Sequence, residues 1–362
     1  MQQRARNAGV RVRSCEVIPA TRDGVLEDGT TCERIDLADL DDLHSALDRI
    51  APDLIVNAAA YTAVDRAEDE SALAMRVNGD AVGAIGTWAA AHGARVVHYS
   101  TDYVFDGRAT RPYREDDPTH PLGVYGSTKL AGEVALRDSG ARHLILRTAW
   151  VYGARGHNFL RTMLRLGAER DELRVVDDQV GAPTSAALIA EVTAEVIARW
   201  LAADDAASRR RDGTYHIVAS GSTSWCGFAR AIFERAAPVN ASGTEGKAIP
   251  VGRASRAFAS LRPSQAEEEE MRASQAKGEE TRVDSRSSTP FQGKRVTRQR
   301  GEMPTGAPRI TAIATADYPT KAARPAYSVL DTAKLRETFD IGLPDWQTVL
   351  DGVMDELVGH RS

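Results

Sequence analysis

The sequence predicts an α/β fold: a Rossmann-like, doubly wound parallel sheet with a smaller C-terminal α/β lobe. The main observation is that short apolar runs, typical of buried strands, alternate with amphipathic stretches of helix length through most of residues 1–200. A second observation is that the polar pair Thr101 and Asp102 directly follows one of these runs. Since ligands bind beyond the carboxyl ends of strands in open α/β sheets, this pair indicates a binding site there.

The elements follow in a regular order along the chain. Val17 and Ile18 close the first apolar run, which predicts an early strand. Residues 39–50 carry leucines and an isoleucine at spacings of three and four, as in a helix that packs on a sheet. Residues 54–57 predict a strand that ends in a turn of small residues. Further strands are expected around His98 and at 144–146, 174–176 and 215–218.

One long stretch breaks this alternation. Residues 237–308 are rich in Ser, Gln, Glu, Arg and Gly, and Phe258 and Phe291 are their only aromatic residues. Such a composition cannot bury enough apolar surface to offset an ordering entropy of about 1–2 kcal/mol per residue. We expect a disordered insertion or a mistranslated piece here. Folding should resume near Arg309, with a last helix opening around Trp346.

Composition excludes several function classes. The 362 residues carry a net charge of −5 and give no basic signature, so nucleic acid is not an expected partner. No apolar run approaches the ~20 residues of a membrane span, and the polar start has no signal-peptide core. The expected location is therefore cytoplasmic. The three cysteines show neither a disulfide framework nor metal-ligand spacing.

Three side chains predict proton-transfer chemistry. Lys129 is the only lysine in residues 1–246, and Tyr125 precedes it by four residues, which places both side chains on one face of a helix. Thr101 stands at the expected strand end. The ammonium should lower the phenol pKa from about 10, so that the tyrosine exchanges a proton with a carbonyl or alcohol. The alternative is a solvated helix face, with Thr101 only capping a turn.

Six segments in order carry a family resemblance. The chain resembles the dTDP-4-dehydrorhamnose reductases, which are extended short-chain dehydrogenases with a Rossmann domain and a small nucleotide-sugar domain. The segments are residues 57–65 (NAAAYTAVD), 100–107 (STDYVFDG), 125–129 (YGSTK), 147–153 (RTAWVYG), 177–184 (DDQVGAPT) and 324–331 (RPAYSVLD). The resemblance implies reduction of a dTDP-4-keto-6-deoxy sugar to dTDP-L-rhamnose with NADPH or NADH, in dTDP-rhamnose and cell-surface polysaccharide biosynthesis.

The resemblance also implies domains and roles. Residues 1–150 would form the NAD(P)-binding domain, and 151–236 with 309–362 the substrate-binding lobe. Tyr125 would protonate O4 of the sugar, Lys129 would hold the cofactor ribose, and Thr101 would bond the carbonyl. Further implied contacts are Asp102 and Trp150 with the substrate, Asp36 and Leu37 with the adenine side of the cofactor, and Ala60, Tyr61 and Thr62 with its nicotinamide side. A magnesium ion and a homodimer are implied by the resemblance alone.

Alternatives remain for some of these residues. Trp150 could be a core indole, because a large aromatic side chain in an apolar context is most often packed in the interior. The small residues from Ala58 to Thr62 equally fit a plain tight turn.

The start of the chain departs from the family pattern. A dinucleotide site normally opens with a strand and a glycine-rich turn, yet Gly9 is the only glycine among residues 1–20 and residues 1–14 are rich in arginine. We expect the first βα unit to be atypical or absent. This leaves three hypotheses: an active reductase, a non-catalytic nucleotide-sugar or regulatory binding subunit on the same scaffold, and an inactive truncated relic.

Overall fold

The computed structural model describes residues 15–236, 291–292 and 307–359. The arginine-rich residues 1–14, and with them the expected anomaly of the first βα unit, lie outside the described residues. So does nearly all of the expected insertion at 237–308, apart from 291–292 and 307–308.

Short strands and helices alternate along the described chain. The strands are β1 Ala20–Thr21, β2 Glu33–Arg34, β3 Leu54–Asn57, β4 Arg95–Thr101, β5 Arg142–Thr148, β6 Val151–Tyr152, β7 Glu172–Val176, β8 Val180–Gly181, β9 Thr184–Ser185, β10 Gly213–His216, β11 Thr223–Ser224, β12 Phe291–Gln292 and β13 Arg309–Ile313. The α-helices are α1 Leu40–Ile50, α2 Val64–Ala67, α3 Ser71–Met75, α4 Ala81–His92, α5 Val124–Asp138, α6 Phe159–Glu169, α7 Ala186–Ala202, α8 Asp205–Arg210, α9 Trp225–Ala236, α10 Ala333–Phe339 and α11 Trp346–Gly359. A π-helical turn spans Arg76–Asp80, and 3₁₀ turns span Asp102–Val104 and Thr315–Asp317.

By compactness the chain divides into two units. The first unit comprises Met1–Val151, Val180–Ser222 and Thr320–Trp346, and the second comprises Tyr152–Gln179, Thr223–Pro319 and Gln347–Ser362. The sequence predicted a first domain at residues 1–150, with the chain crossing between the lobes after residue 150, and the compact units divide the later residues between them differently. The reason is that β10 pairs in parallel with β5, so the chain after residue 180 returns to the first sheet.

The first unit contains the predicted parallel sheet. Its four strands lie in the order β10-β5-β4-β3, and all three pairings are parallel. Thr101 pairs with Thr148 in the register of β4 and β5, so both strands end at the same edge. The predicted α/β class and parallel sheet are confirmed.

Side chains alternate between the two faces of this sheet. Val96 and Ile145 join a core cluster with Ile85 of α4. Their neighbours Val97 and Leu144 belong to a second core cluster, which also holds Trp200 of α7. Because successive strand residues point to opposite faces, strands covered by helices on both sides are apolar at most of their central positions. This explains why the strands appear in the sequence as continuous apolar runs.

Helix α1 confirms the sequence pattern at residues 39–50. The Asp39 carboxylate caps its start by accepting hydrogen bonds from the backbone amides of Asp41 and Asp42. Leu43 and Leu47 are buried in the cluster that also holds Ile85. The spacing of the leucines thus predicts both the helix and its buried face.

The early strand lies slightly later than expected. Ala20 and Thr21 form β1 by pairing in parallel with Glu33 and Arg34, in a separate two-stranded sheet. Residues 17 and 18 are exposed instead, at 68% and 46%. Apolar character alone does not make a strand, because a strand also needs a backbone partner in register.

The second unit contains a three-stranded sheet in the order β12-β7-β13. Strands β7 and β13 pair in parallel, and residues 291–292 add an antiparallel pair to β7. The predicted restart of folding near Arg309 coincides with β13, and the predicted last helix coincides with α11. Within the described ranges, no helix combines the length and apolarity that a transmembrane span requires.

Candidate active site

The site is built around the end of β4. Thr101 is its last residue and is buried at 5% exposure. Its hydroxyl donates to Asp102 Oδ1 at 3.0 Å and accepts the backbone N–H of Tyr103 at 3.2 Å. Thr101 therefore caps the following 3₁₀ turn, as the alternative interpretation of this residue predicted. The same hydroxyl also bonds Tyr125, so capping and contact with the predicted phenol occur together.

Helix α5 lies close against this turn because of a glycine. A Cβ atom on Gly126 would stand 2.2 Å from the carbonyl oxygen of Tyr103, a distance that no side chain tolerates. The close approach brings the ring of Tyr125 edge-on to the ring of Tyr103, with 5.4 Å between centroids. Small size at position 126 is thus a condition for the contact between the phenol and the strand end.

The phenol pKa differs from the expectation. Burial raises the pKa of Tyr125 to about 12, and the hydrogen bond with Thr101 offsets only part of this effect. The prediction that the Lys129 ammonium lowers this pKa is wrong for this structure. The physical reason is that burial of the phenol outweighs the other effects, and Lys129 is not among the groups that lower this pKa.

Lys129 is buried beneath the site, at 2% exposure. Its Nζ donates to the carbonyl oxygen of Tyr99 at 2.6 Å and lies 3.2 Å from Nε2 of His98. Burial lowers the pKa of Lys129 to about 8, while the Glu133 carboxylate acts in the opposite direction. The alternative of a solvated helix face therefore does not hold for Lys129, because a buried lysine on such partners is not a surface residue.

Asp102 is a buried carboxyl group next to Thr101. It is 2% exposed, and its Oδ2 has no hydrogen-bond partner among the described residues. Burial raises the pKa of Asp102 to about 6, while hydrogen bonds from Ser328 and Thr101 lower it. A carboxyl group whose pKa lies near neutral pH can be protonated or ionised. Its unpartnered oxygen can therefore either donate or accept a hydrogen bond. Its contact with substrate stays a prediction.

The turn after β3 is held by an asparagine that sequence reasoning missed. Asn78 accepts the backbone N–H of Tyr61 at 2.9 Å and donates to its carbonyl oxygen at 3.0 Å. It also donates to the Thr128 hydroxyl at 3.2 Å, next to Lys129 in the chain. Ala60 and Tyr61 are half-buried and Thr62 is exposed. The turn is thus fixed relative to α5, which a plain tight turn does not require.

The two expected adenine-side residues have structural roles. The Asp36 carboxylate accepts the backbone N–H of Ala38 at 2.9 Å, which stabilises the turn before α1. Leu37 packs against the core cluster that holds Leu43 and Leu47. Their contact with a cofactor stays a prediction.

Trp150 occupies a strained and packed position. Its φ is 48°, and its indole lies so close to Gly181 that a Cβ atom there would be 2.4 Å from the ring. The half-buried ring packs against a core cluster with Phe105 and Val218. The core interpretation of Trp150 is supported, and its substrate contact stays a prediction.

Within the described ranges, no group of three His, Cys, Asp or Glu could hold a metal ion.

Two buried polar residues were missed by sequence reasoning. Asn78 and His98 are 1% and 0% exposed, and His98 stands in an otherwise apolar run. A buried polar side chain must be hydrogen-bonded, so a polar residue in such a run is a signal that could have been used. The signal does not name the partner, which depends on the fold.

Comparison with known proteins agrees with this geometry. Residues 8–283 and 284–358 match the family described as the RmlD substrate binding domain. The chain belongs to this family. It is 40% identical over 308 residues to dTDP-4-dehydrorhamnose reductase of Escherichia coli (strain K12), covering 85% of this chain and 81% of the relative. It is 39% identical over 332 residues to the enzyme of that name from Burkholderia thailandensis, covering 92% and 88%.

Solved structures of RmlD family members also resemble the chain. A crystal structure of dTDP-4-dehydrorhamnose reductase from Bacillus anthracis in complex with NADP has a TM-score of 0.64 and 28% identity, covering 89% of this chain and 87% of the other. A structure of the Clostridium acetobutylicum reductase has a TM-score of 0.65 and 30% identity, covering 90% and 88%. The family and the Rossmann-like fold predicted from the sequence are confirmed.

Proposed function

We propose that this RmlD family member reduces dTDP-4-dehydro-6-deoxy-L-mannose to dTDP-L-rhamnose, by hydride transfer from NADPH or NADH, in rhamnose and cell-surface polysaccharide biosynthesis. The observation that carries the proposal is the contact between the Tyr125 phenol and the Thr101 hydroxyl at the end of β4. The dTDP-4-dehydrorhamnose reductases named above are up to 40% identical to this chain, and they support the proposed class of nucleotide-sugar substrate.

The described residues fit a nicotinamide cofactor on one side of the site. The turn after β3 presents half-buried Ala60 and Tyr61 near the carboxyl edge of the sheet, held to α5 through Asn78. Ligands of open α/β sheets bind at this edge. When bound there, the cofactor supplies the hydride. The residues that would face its pyrophosphate belong to the first βα unit, which lies outside the described residues.

Tyr125 supplies the proton in this proposal. The C4 carbonyl gains negative charge on its oxygen during reduction, and an alkoxide is a stronger base than a phenolate. A phenol whose pKa is raised to about 12 therefore still donates its proton to O4. The Thr101 hydroxyl then stabilises the phenolate by turning its hydrogen toward it, which Asp102 permits when its carboxyl is protonated. Lys129, one helical turn away, would contact the cofactor ribose and help restore the phenol.

The test is NADPH oxidation in the presence of the 4-keto sugar nucleotide, comparing the wild type with Tyr125→Phe. The proposal requires turnover in the wild type and a loss of at least about 100-fold in kcat for the variant. A folded wild type without turnover would favour a non-catalytic binding subunit. Thermal unfolding with and without NADPH then distinguishes the binding subunit from the inactive relic. If NADPH binds, it raises the midpoint temperature of unfolding. An inactive relic that does not unfold cooperatively would show no midpoint.

Two further points remain part of the proposal. A cytoplasmic location and a homodimer both stay predictions, and the homodimer rests on the family resemblance alone. Size measurement of the purified protein at two concentrations tests the dimer.

A further inference from the structure

Glu68 is a half-buried carboxylate to which the proposed mechanism assigns no role. It directly follows the short helix α2, and its Oε1 accepts the backbone N–H of Val124 at 2.9 Å. Val124 is the first residue of α5 and directly precedes Tyr125. The two partners are 56 positions apart in the chain, so the tertiary fold alone brings this carboxylate to the start of the helix.

The start of α5 lacks a cap of its own. The first backbone amides of a helix have no acceptor inside the helix, and a side-chain oxygen of the preceding residue commonly supplies one. Here the preceding residue is Gly123, which has no side chain. Glu68 therefore provides, from another part of the chain, the acceptor that the local sequence omits. A carboxylate also suits this end of a helix, because the helix dipole is positive there.

The absence of a side chain at position 123 makes room for this carboxylate. A Cβ atom on Gly123 would stand 2.7 Å from Glu68 Oε1, which is too close for a carbon and a carboxylate oxygen. The φ of Gly123 is −149°, an extended conformation that any residue adopts, so the space and not the backbone requires glycine. Because the crowded atom is the end of a flexible side chain, Gly123→Ala should displace the Glu68 carboxylate and leave its residue type unchanged.

The first turn of α5 is thus held from two sides. At Gly126 its backbone packs closely on the turn after β4, and at Val124 the Glu68 carboxylate holds it from the segment after β3. Tyr125 lies between these two positions, and its phenol bonds the Thr101 hydroxyl. A first turn that frays or shifts would therefore move the phenol away from the end of β4. A displacement of about 1 Å at a reacting group can cost about 10²-fold in rate.

We propose that Glu68 is a positioning residue for Tyr125: its carboxylate oxygen holds the first turn of α5 so that the phenol stays against Thr101. The catalytic consequence rests on the proposed function, in which Tyr125 donates the proton. Glu68 touches neither substrate nor cofactor in this proposal and acts only through the backbone of α5. The acceptor oxygen at the Val124 amide is the essential feature, and the negative charge is not.

The neighbouring carboxylates do not share this contact. The other acidic residues of this stretch bond elsewhere: Asp65 with Arg324, Asp69 with Lys321, and Glu70 with Tyr61 and Arg66. Asp69 is the matched control, because its ion pair is exposed and it stands next to Glu68 in the chain. Asp69→Asn removes one negative charge from the same stretch without removing a bond to α5.

The experiment observes the Tyr125 phenol by NMR of protein labelled with ¹³C at the tyrosine Cζ atoms. The chain has nine tyrosines, and Tyr125→Phe assigns the signal. Glu68→Ala removes the acceptor and should shift the Tyr125 signal, and Gly123→Ala should shift it as well. Glu68→Gln keeps an acceptor oxygen and should leave the signal close to its wild-type position. Asp69→Asn should also leave it there.

Kinetics distinguish positioning from a purely structural cap. If the wild type turns over substrate, Glu68→Ala should lower kcat by about 10-fold or more, while KM for NADPH stays within about twofold. Glu68→Gln should restore most of kcat. A cap that only stabilised the fold would lower the midpoint temperature of unfolding in Glu68→Ala and leave kcat of the folded variant unchanged, which would overturn the inference.

The NMR outcomes separate this inference from the proposed function. An unchanged Tyr125 signal in folded Glu68→Ala overturns the inference, whether or not the protein turns over substrate. Equal shifts in Glu68→Gln and Glu68→Ala overturn it too, since the acceptor oxygen would then not be what holds the helix. If Glu68→Ala does not fold, Gly123→Ala gives the same test, and an unchanged signal there overturns the inference. An inactive wild type contradicts only the proposed function.

Discussion

Arg147 of β5 and Glu133 of α5 form a bidentate ion pair inside the first unit. Nε donates to Oε1 at 2.8 Å and Nη2 donates to Oε2 at 2.7 Å, and the two side chains are 3% and 0% exposed. The guanidinium also lies over the ring of Phe105, 5.1 Å from its centroid. This pair attaches the helix that carries Tyr125 and Lys129 to the sheet.

Removing one partner of this pair should destabilise the protein strongly. Glu133→Gln leaves Arg147 as a buried charge without its counter-ion, and breaking a buried pair in this way costs about 3–5 kcal/mol. Chemical denaturation measures the difference. The control is Glu169→Gln in the exposed pair with Arg165, where we expect a change below about 1 kcal/mol. Equal effects at the two sites would contradict the structural role given to Glu133.

Enlarging Gly126 should separate α5 from the turn after β4. A methyl group would stand 2.2 Å from the Tyr103 carbonyl oxygen, so Gly126→Ala must displace the helix that carries Tyr125. We expect lower stability together with a loss of turnover. Gly352→Ala in α11 is the matched control, because among the described residues no atom beyond its own helix backbone lies within 4 Å of the added methyl group. There alanine should raise stability by up to about 1 kcal/mol. A fully active Gly126→Ala variant would show that the close approach is not required.

Removing the Thr101 hydroxyl should slow turnover while the fold survives. Thr101→Val keeps the shape of the side chain but deletes the bonds to Tyr125 and Asp102, so the phenolate formed on proton donation loses its partner. A decrease in kcat of roughly 10²-fold is expected, with little change in KM. Thr87→Val on α4 serves as the control for hydroxyl loss, because among the described residues this hydroxyl bonds only the Gly83 carbonyl oxygen. An effect confined to KM would instead place Thr101 in substrate binding.

Asp102 should make stability depend on pH between about 4 and 6. Its folded pKa is raised to about 6 from the ordinary 3.8, so in this range the folded state binds more protons than the unfolded state. Stability from this group is therefore fully present below pH 4 and is lost as the pH rises through about 6. The difference of roughly two units corresponds to about 3 kcal/mol as an upper bound. Asp102→Asn should remove this slope in urea unfolding measured at several pH values, and an unchanged slope would assign it to other groups.

Several parts of the fold follow from local sequence patterns. The spacing of Leu40, Leu43 and Leu47 predicts α1 and its buried face. The apolar run before Thr101 predicts a buried strand whose end carries the site. These predictions succeed because periodicity and capping are properties of residues within one or two turns of each other.

The chemistry of the site is only partly a local property. The spacing of Tyr125 and Lys129 correctly places both residues on one helix, α5. It does not reveal that Lys129 bonds His98 and Tyr99, which lie about thirty residues earlier in the chain. The expected lowering of the Tyr125 pKa was wrong because burial of the phenol raises that pKa.

The sequence alone therefore determined the fold class, the parallel strands and the family, because each depends on residue type, periodicity or motif order. The identity of the proton-transfer residues stays a prediction. Tertiary structure decided the protonation equilibria: burial raises the pKa of Tyr125 and Asp102 and lowers that of Lys129. It also decided that Trp150 packs on Gly181 and that His98 joins Lys129 to Asn57. Desolvation and the choice of hydrogen-bond partners depend on which distant segments come together, and no pattern of neighbouring residues encodes that information.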